Sequence, residues 1–327
     1  MDLESLSVLL LWTAIAVYAL AFVAFAFDLA QRSEESSDAK LREGQLVLAG
    51  GAAPAAPGRD AGAERASAEP PAAARRVMAR IGTALMVLGF LMHLGATLAR
   101  GVAAGRVPWA NNYEFAMIGT LLIMLVYLLV LTRLDLRFLG TFVTGLVVAL
   151  LGTSAISFYV IVTPLMDPLK SVWLVIHVFV ASLATAFFAL GFALSVTQLL
   201  QSRRERLRAE GAERTGPRFL ATMPSAERLE GLAYRFATIG FIFWTFTLIA
   251  GAIWARDAWS RYWGFDVKET WTFIIWVLYA GYIHARATRG WRGNPSAWLS
   301  IVGFAAVIFN FTIVNVFFQG LHAYSGL

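Results

Sequence analysis

Four histidines are the side chains of this chain with the clearest capacity for metal chemistry. They are His93, His177, His284 and His322, and the chain contains no cysteine. Neutral imidazole is a common ligand of transition metals. The lack of cysteine excludes disulfides, iron–sulfur ligation and cysteine–zinc sites formed by this chain. Any soft-metal chemistry must therefore use imidazole.

A second candidate for a ligand-binding feature is the aromatic segment 254–271, whose sequence is WARDAWSRYWGFDVKETW. If this segment is helical, Trp259, Trp263 and Asp266 fall at positions i, i+4 and i+7 and share one stripe. Indole faces on such a stripe could stack on a flat ligand. The segment therefore predicts an aromatic surface, which the rest of the fold must bring to an imidazole.

The composition is typical of a polytopic membrane protein. Of the 327 residues, 58% are hydrophobic and 15% are charged, whereas a soluble domain has about 45–50% apolar and about 25% charged residues. Runs long enough to span a bilayer occur at eight places and predict an all-α bundle of about eight transmembrane helices. These runs lie at about 6–30, 78–100, 115–131, 139–161, 172–200, 233–254, 269–286 and 297–319.

The chain divides into three predicted regions. Residues 1–30 form a first transmembrane helix, because Asp2 and Glu4 stand where a signal peptide has basic residues. Residues 31–77 are rich in Ala, Pro, Gly, Ser and Glu and predict a disordered cytoplasmic linker. Residues 78–327 form a seven-helix domain that contains segment 254–271.

The basic residues predict the orientation. Of the 27 Lys and Arg residues, 21 lie in segments 31–80, 133–137, 203–235 and 286–292, and six lie on the opposite side of the predicted spans. The positive-inside rule places the first set in the cytoplasm and both termini outside. The net charge of +6 therefore reflects topology, and nothing in the pattern indicates a nucleic-acid partner.

This topology places the histidines at different depths. His177, about two turns into the fifth span, and His322, just beyond the eighth, lie near the outer interface. His284 follows the aromatic segment and lies about 20 Å along the seventh span, near the cytoplasmic end. For His284 a functional ligand and a structural histidine are both open, as they are for His93, about two turns below the outer end of the second span.

Two outer imidazoles beside an aromatic surface suit haem. Haem iron takes imidazole as an axial ligand, the macrocycle stacks on aromatic rings, and the propionates pair with cations. Arg256, Arg261 and Lys268 are the local candidates for such pairing. The alternative is a membrane protein unrelated to haem, in which Trp and Tyr act as interfacial anchors.

The pattern of residues 259–269 resembles the WWD signature of haem-handling membrane proteins, commonly Trp-Gly-x-x-Trp-x-Trp-Asp-Pro-x-Glu. Ser260, Phe265 and Val267 depart from it, and Phe265 keeps a stacking face but has no indole N–H. The further matches are Pro108-x-x-Asn111-x-Tyr113-Glu114, Trp173-Leu-x-x-His177-Val, Tyr282-x-His284-x-Arg286 and Gly320-Leu-His322-x-Tyr324. Over residues 78–327 the chain resembles the System II cytochrome c biogenesis proteins of the CcsA/ResC type, named CcsB in some bacteria.

The resemblance implies that the chain carries haem to the outer face of the membrane and presents it for thioether attachment to apocytochrome c. The implied cofactor is haem b, as a transported substrate. His177 and His322 are the implied outer iron ligands, and His284 binds haem that enters from the cytoplasm, paired with a partner imidazole or with His93. The other implied haem-contacting residues are Trp259, Trp263, Phe265, Asp266, Trp271 and Arg261.

The resemblance also implies partners. A ResB-like membrane subunit would form a haem lyase with this chain in the bacterial cytoplasmic (inner) membrane, with the attachment site on its outer face. Thiol-reducing, thioredoxin-like proteins would act indirectly, by supplying apocytochrome c with free thiols. The alternative is a haem exporter or chaperone that hands haem to a separate attachment enzyme.

Overall fold

The computed structural model of the chain describes residues 2–49, 77–165, 169–212, 215–288, 290–318 and 320–321, with the backbone alone for 33–49. The described residues form eight long helices and no β-strand. A π-helical turn, Asn310–Val314, and a last turn, Asn315–Phe317, continue the eighth helix. The helices are α1 (Leu3–Ala49), α2 (Val77–Ala104), α3 (Asn112–Leu131), α4 (Gly140–Ser157), α5 (Val172–Ala209), α6 (Ala226–Trp259), α7 (Val267–Ala287) and α8 (Asn294–Phe309).

Seven of the described helices, all except α7, are long and apolar enough to cross a membrane. α7 has 21 residues, which is a sufficient length for a span, but it carries charged groups near both ends. It packs against α6 and α8. The predicted polytopic, all-helical membrane bundle is confirmed.

The first helix extends further than the hydropathy suggests. Its backbone is helical to Ala49, whereas the sequence predicts disorder from residue 31. Residues 31–49 contain many Glu, Gln, Ala, Leu, Lys and Arg residues and no Pro. These are the residue types with the best intrinsic helix propensity, so a polar segment can continue the apolar helix before it. The rest of the predicted linker, residues 50–76, lies outside the described residues.

Two helix pairs make the most extensive contacts of the bundle, α1 with α2 and α5 with α6. Glycines permit the close approach in both pairs. A Cβ atom on Gly89 of α2 would lie 2.8 Å from the Tyr18 ring of α1, and one on Gly240 of α6 would lie 2.7 Å from the Phe188 ring of α5. Such small residues at helix interfaces are typical of membrane bundles.

Polar contacts between the ends of helices occur at both ends of the bundle. At the first end, the Asn315 amide donates to Asn112 Oδ1 at 2.9 Å and connects the end of the last helix to the start of α3. At the other end, Arg286 of α7 pairs with Glu230 of α6 at 2.7 Å. We call these the site end and the opposite end. The starts of α1, α3, α5 and α7 lie at the site end.

A buried ion cluster connects α1, α2 and α3 at the site end. Arg100, which is fully buried, donates to Glu114 at 3.0 Å and to Glu4 at 2.9 Å, and its third nitrogen donates to the Val160 carbonyl at 2.7 Å. Arg106 approaches the second Glu114 oxygen to 2.7 Å. Every charge in this cluster therefore has a partner, as a buried charge requires.

Replacement of Arg100 by Met is expected to destabilise the bundle strongly. Glu114 would keep only one of its two ion pairs, the one with Arg106, and Glu4 would lose its only ion pair among the described residues, so the free energy of unfolding should fall by about 3 kcal/mol. Arg206→Ala is the control, because Arg206 and Glu210 form an exposed pair at 3.9 Å worth at most about 1 kcal/mol. Unfolding of both variants in detergent measures the difference. Equal losses would show that the cluster contributes no more than a surface pair.

Candidate functional site

A cavity of about 230 Å³ lies at the site end among α3, α5, α6, α7 and α8. Most of its wall is apolar or aromatic. Polar side chains gather on two parts of the wall, the start of α3 and the region where α7 meets the π-helical turn after α8. The tryptophans on the wall are Trp109, Trp244, Trp254, Trp259 and Trp263.

His177 of α5 is the only one of the chain's histidines, within the described ranges, that lines this cavity. Its Nδ1 lies 3.0 Å from the Thr247 carbonyl of α6. A carbonyl can only accept, so Nδ1 carries the proton and the ring lone pair is at Nε2. A hydrogen bond from the other ring nitrogen to a carbonyl fixes the tautomer and orientation of a metal-ligating imidazole.

Helix α6 also shapes the space that the His177 ring occupies. The ring lies 5.6 Å from that of Trp254. A Cβ atom on Gly251 would stand 2.8 Å from its Cε1 atom, closer than any real contact. Gly251 is therefore required for the observed position of the imidazole.

The segment 260–266 is not helical, and the expectation of one helical stripe over 259–266 is wrong. α6 ends at Trp259, because Ser260 adopts a left-handed conformation with φ 59°. Phe265 has φ 57°, and Asp266 then caps α7 with its side chain. The capping carboxylate of Asp266 thus ends the loop. In the WWD signature the residue after this Asp is Pro, and here it is Val267.

The loop nevertheless brings two of the predicted tryptophans together. Trp259 and Trp263 both line the cavity that His177 lines. Phe265 does not line it and is 81% exposed, with its ring 6.1 Å from that of Trp263. Trp271 packs on Phe309 of α8, with the two ring centroids 4.4 Å apart, and it does not line the cavity.

Arg261 lies over the loop and not in the cavity wall. Its guanidinium is 3.9 Å from Glu269, and a Cβ atom on Gly264 would overlap it. Glu269 Oε2 also accepts from the backbone N–H groups of Gly264 at 2.8 Å and Asp266 at 3.1 Å. Arg261 and Glu269 thus stabilise the loop that presents the tryptophans.

Asp266 connects this loop to the C-terminal segment. Its Oδ2 accepts from the Lys268 backbone N–H at 3.2 Å as the cap of α7. Its Oδ1 accepts from the backbone N–H of Leu321 at 3.0 Å. His322, the predicted second outer ligand, lies outside the described residues, and Leu321 directly precedes it.

Lys268 is the centre of a polar cluster on the cavity wall. Its ammonium group donates to the Asn310 carbonyl at 2.9 Å and to the Asn315 side-chain oxygen. Asn315 in turn donates to Asn112 at 2.9 Å. The cluster joins α3, α7 and the π-helical turn. Lys268 therefore forms hydrogen bonds within the protein, whereas the sequence predicted that it pairs with a propionate.

Several wall residues are not identified by sequence reasoning. Gly251 and Thr247 position His177, yet a glycine and a threonine in an apolar helix give no separate signal. Trp109 and Asn112 line the cavity, and only their proximity in the chain to the Asn111 motif could have indicated them.

The other two histidines lie away from the cavity. His93 is fully buried, and its Nδ1 is 3.5 Å from the Tyr18 hydroxyl of α1. His284 is exposed in the last turn of α7, at the opposite end. The structure therefore does not bring His284 together with His177.

The fold and the site define a polytopic helical membrane protein with an aromatic, imidazole-lined cavity at one end of its bundle. The family model described as cytochrome C assembly protein matches residues 109–322. The chain belongs to this family.

Individual relatives agree with this assignment. The cytochrome c biogenesis protein CcsA of Synechococcus elongatus (strain ATCC 33912 / PCC 7942 / FACHB-805) is 31% identical over 75% of this chain and 87% of its own length. CcsA of Synechococcus sp. (strain CC9902) is 38% identical over 49% of this chain, and the match spans 58% of that relative's length. The solved structure of the cytochrome c heme lyase CcmF has a similar fold, with a TM-score of 0.62 at 18% identity over 95% of this chain and 47% of CcmF.

Substitution of Gly320 should release the C-terminal segment from the loop. A Cβ atom at this position would lie 2.3 Å from Asp266 Oδ1, so Gly320→Val is expected to break the bond from Leu321 to Asp266. Hydrogen exchange at Leu321 should then become faster. Gly281→Val is the control, because a Cβ there meets nothing within 4 Å. Unchanged protection in Gly320→Val would show that the segment does not depend on Asp266.

Proposed function

We propose that this chain is a membrane subunit of a cytochrome c synthase, which carries haem to the outer face of the membrane and presents it for thioether attachment to apocytochrome c. The observation that carries the proposal is His177, whose Nδ1–H bond to Thr247 at 3.0 Å directs its lone pair for ligation on an aromatic cavity wall. Family membership supports it, since the relatives are named for cytochrome c biogenesis. Those names do not favour the alternative role in haem export alone.

In this proposal His177 and His322 are the axial ligands of the outer haem. The contact of Leu321 with Asp266 at 3.0 Å supports a second ligand beside the tryptophan loop. Trp259 and Trp263 provide flat surfaces on the same wall, and aromatic rings favour offset or edge contacts with such a ligand.

The attachment itself is an addition reaction. A thiol S–H of apocytochrome c adds across a vinyl C=C bond, so that sulfur bonds to one vinyl carbon and hydrogen to the other. The chain contributes position, which can account for much of the rate of such a step. Because the chain has no cysteine, no thiol of its own competes for the vinyl groups.

His284 is the proposed ligand of a second haem at the opposite end. It is exposed in the last turn of α7, where an imidazole from another subunit could reach the same iron. The full burial of His93 against Tyr18 disfavours its pairing with His284. We therefore favour a ResB-like partner subunit as the source of the second ligand.

The remaining parts of the proposal concern location and substrate. The chain acts in the bacterial cytoplasmic membrane with the site end outside, as the distribution of 27 basic residues indicates. The haem is haem b, and thioredoxin-like proteins keep the apocytochrome thiols reduced. The ResB-like subunit and this chain together form the haem lyase.

Removal of the His177 imidazole tests the outer site. The purified wild-type protein should show a six-coordinate, low-spin haem spectrum, because two imidazoles bind the iron. His177→Gly should lose that spectrum while it still inserts as a membrane protein. Added imidazole should restore it in the variant, which separates lost ligation from lost folding. An unchanged spectrum in His177→Gly would exclude His177 as a ligand.

Replacement of His284 tests the route of haem. His284→Ala is expected to lower haem occupancy at both ends, because supply to the outer site is cut, whereas His322→Ala should leave haem at the opposite end. Haem per protein and the spectra of both variants, measured in the complex with the partner, give the answer. Full outer occupancy in His284→Ala would remove His284 from the route.

A further inference from the structure

The cavity wall contains buried hydrogen-bond donors that a ligand could pair. Within the described part of the chain, Trp109 Nε1 and Asn112 Nδ2 have no hydrogen-bond partner, although the two residues are only 7% and 5% exposed. Both residues line the cavity. An unpaired buried donor destabilises a protein, so these two groups indicate a missing acceptor.

The orientation of the Asn112 amide follows from Lys268. An ammonium group can only donate, so the side-chain atom of Asn315 that faces Lys268 is its oxygen. The nitrogen of Asn315 must then face Asn112, and the atom of Asn112 that accepts from it is Oδ1. These hydrogen bonds from Lys268 through Asn315 use the side-chain oxygen of Asn112. The Nδ2–H group of Asn112 is therefore the one that can donate to a ligand.

The electrostatics of this part of the wall favour an anion. Asn112 lies in the first turn of α3, and a helix N-terminus carries partial positive charge. The one carboxylate in that turn, Glu114, is paired with Arg100 and Arg106. Lys268 lies on the same wall, and its ammonium group also favours a negative charge.

The unpaired acceptors of the wall lie elsewhere. Glu269 Oε1 and Asn310 Oδ1 are buried without a donor among the described residues, and they belong to α7 and the π-helical turn. These oxygens would repel a negative group placed directly beside them, although Lys268 of α7 also lies on this part of the wall. The donors at the start of α3 thus mark one part of the wall as the anion site.

We propose that Trp109 and Asn112, with the orientation set by Lys268, bind a propionate carboxylate of the haem. This inference rests on the proposed haem function and names the contacts that orient the haem in the same cavity. A carboxylate accepts hydrogen bonds only, so it matches two orphaned donors beside a cation. A propionate bound at the start of α3 would limit how the haem can rotate in its plane.

The test compares haem with its dimethyl ester, which keeps the iron and the ring but has no carboxylate. Titration of each into the purified full chain, followed by the absorption spectrum, gives two dissociation constants. The wild type should bind haem about tenfold or more tightly than the ester, because a hydrogen bond to a charged group contributes about 1.5–3 kcal/mol. Trp109→Phe and Asn112→Leu should each weaken haem by about tenfold and leave the ester unchanged.

The control variant is Thr144→Val in α4, a buried polar-to-apolar change outside the cavity wall, whose hydroxyl donates to the Gly140 carbonyl at 2.6 Å. It should keep the wild-type preference for haem over the ester. Equal affinity of the wild type for both ligands would overturn the inference. Equal weakening of both ligands in Trp109→Phe would also overturn it, and this variant keeps a ring in place if Asn112→Leu does not fold. Wild-type protein that bound neither ligand would overturn the haem function itself, and the carboxylate site with it.

Discussion

A lysine ammonium inside an apolar bundle must be surrounded by acceptors, and at the site end this requirement organises three helices. Lys268 donates to a carbonyl of the π-helical turn and to the side chain of Asn315. A π-turn disturbs the regular ladder of a helix, and a backbone carbonyl at membrane depth needs a donor from elsewhere. The cation supplies that donor. The charge and the irregular turn therefore stabilise each other, and together they form the polar part of the cavity wall.

The same constraint explains why the cavity is polar on one side and aromatic on the other. Both acceptors of the Lys268 ammonium group, the Asn310 carbonyl and the Asn315 side-chain oxygen, come from the end of the eighth helix, and Asn315 connects them to Asn112 of α3. Thr247 and Gly251 of α6 position His177 across from them, on a wall made of indole and aliphatic groups. In the proposed function, the macrocycle of haem would lie on the aromatic part of the wall and a propionate would lie near Trp109 and Asn112.

Hydropathy predicts the bundle well, because a membrane span is recognised by length and composition alone. It misses the helical extension of α1 to Ala49, where polar residues with good helix propensity follow the apolar run. The position of His177 follows from counting turns from the start of α5. The contacts of Thr247 and Gly251 with it come from residues about 70 positions away and depend on how α5 and α6 face each other. The hydrogen bond from Asn315 to Asn112 joins residues 203 positions apart, and periodicity cannot identify such a partner.

The loop after Trp259 shows why a motif can be recognised while its conformation is misread. Helical spacing would place Trp259, Trp263 and Asp266 on one stripe, yet Ser260 and Phe265 adopt left-handed conformations, which a continuous helix cannot contain. Glu269 holds the loop through the backbone N–H groups of Gly264 and Asp266, and the carboxylate of Asp266 connects the loop to the segments on either side of it. One oxygen caps α7 and the other accepts the N–H of Leu321, so the start of α7 and the segment before His322 are held by one side chain. A shift of α7 at its first turn would therefore move both the Lys268 cluster and the C-terminal segment. In the proposed function, such a shift would move the segment that precedes His322 relative to His177.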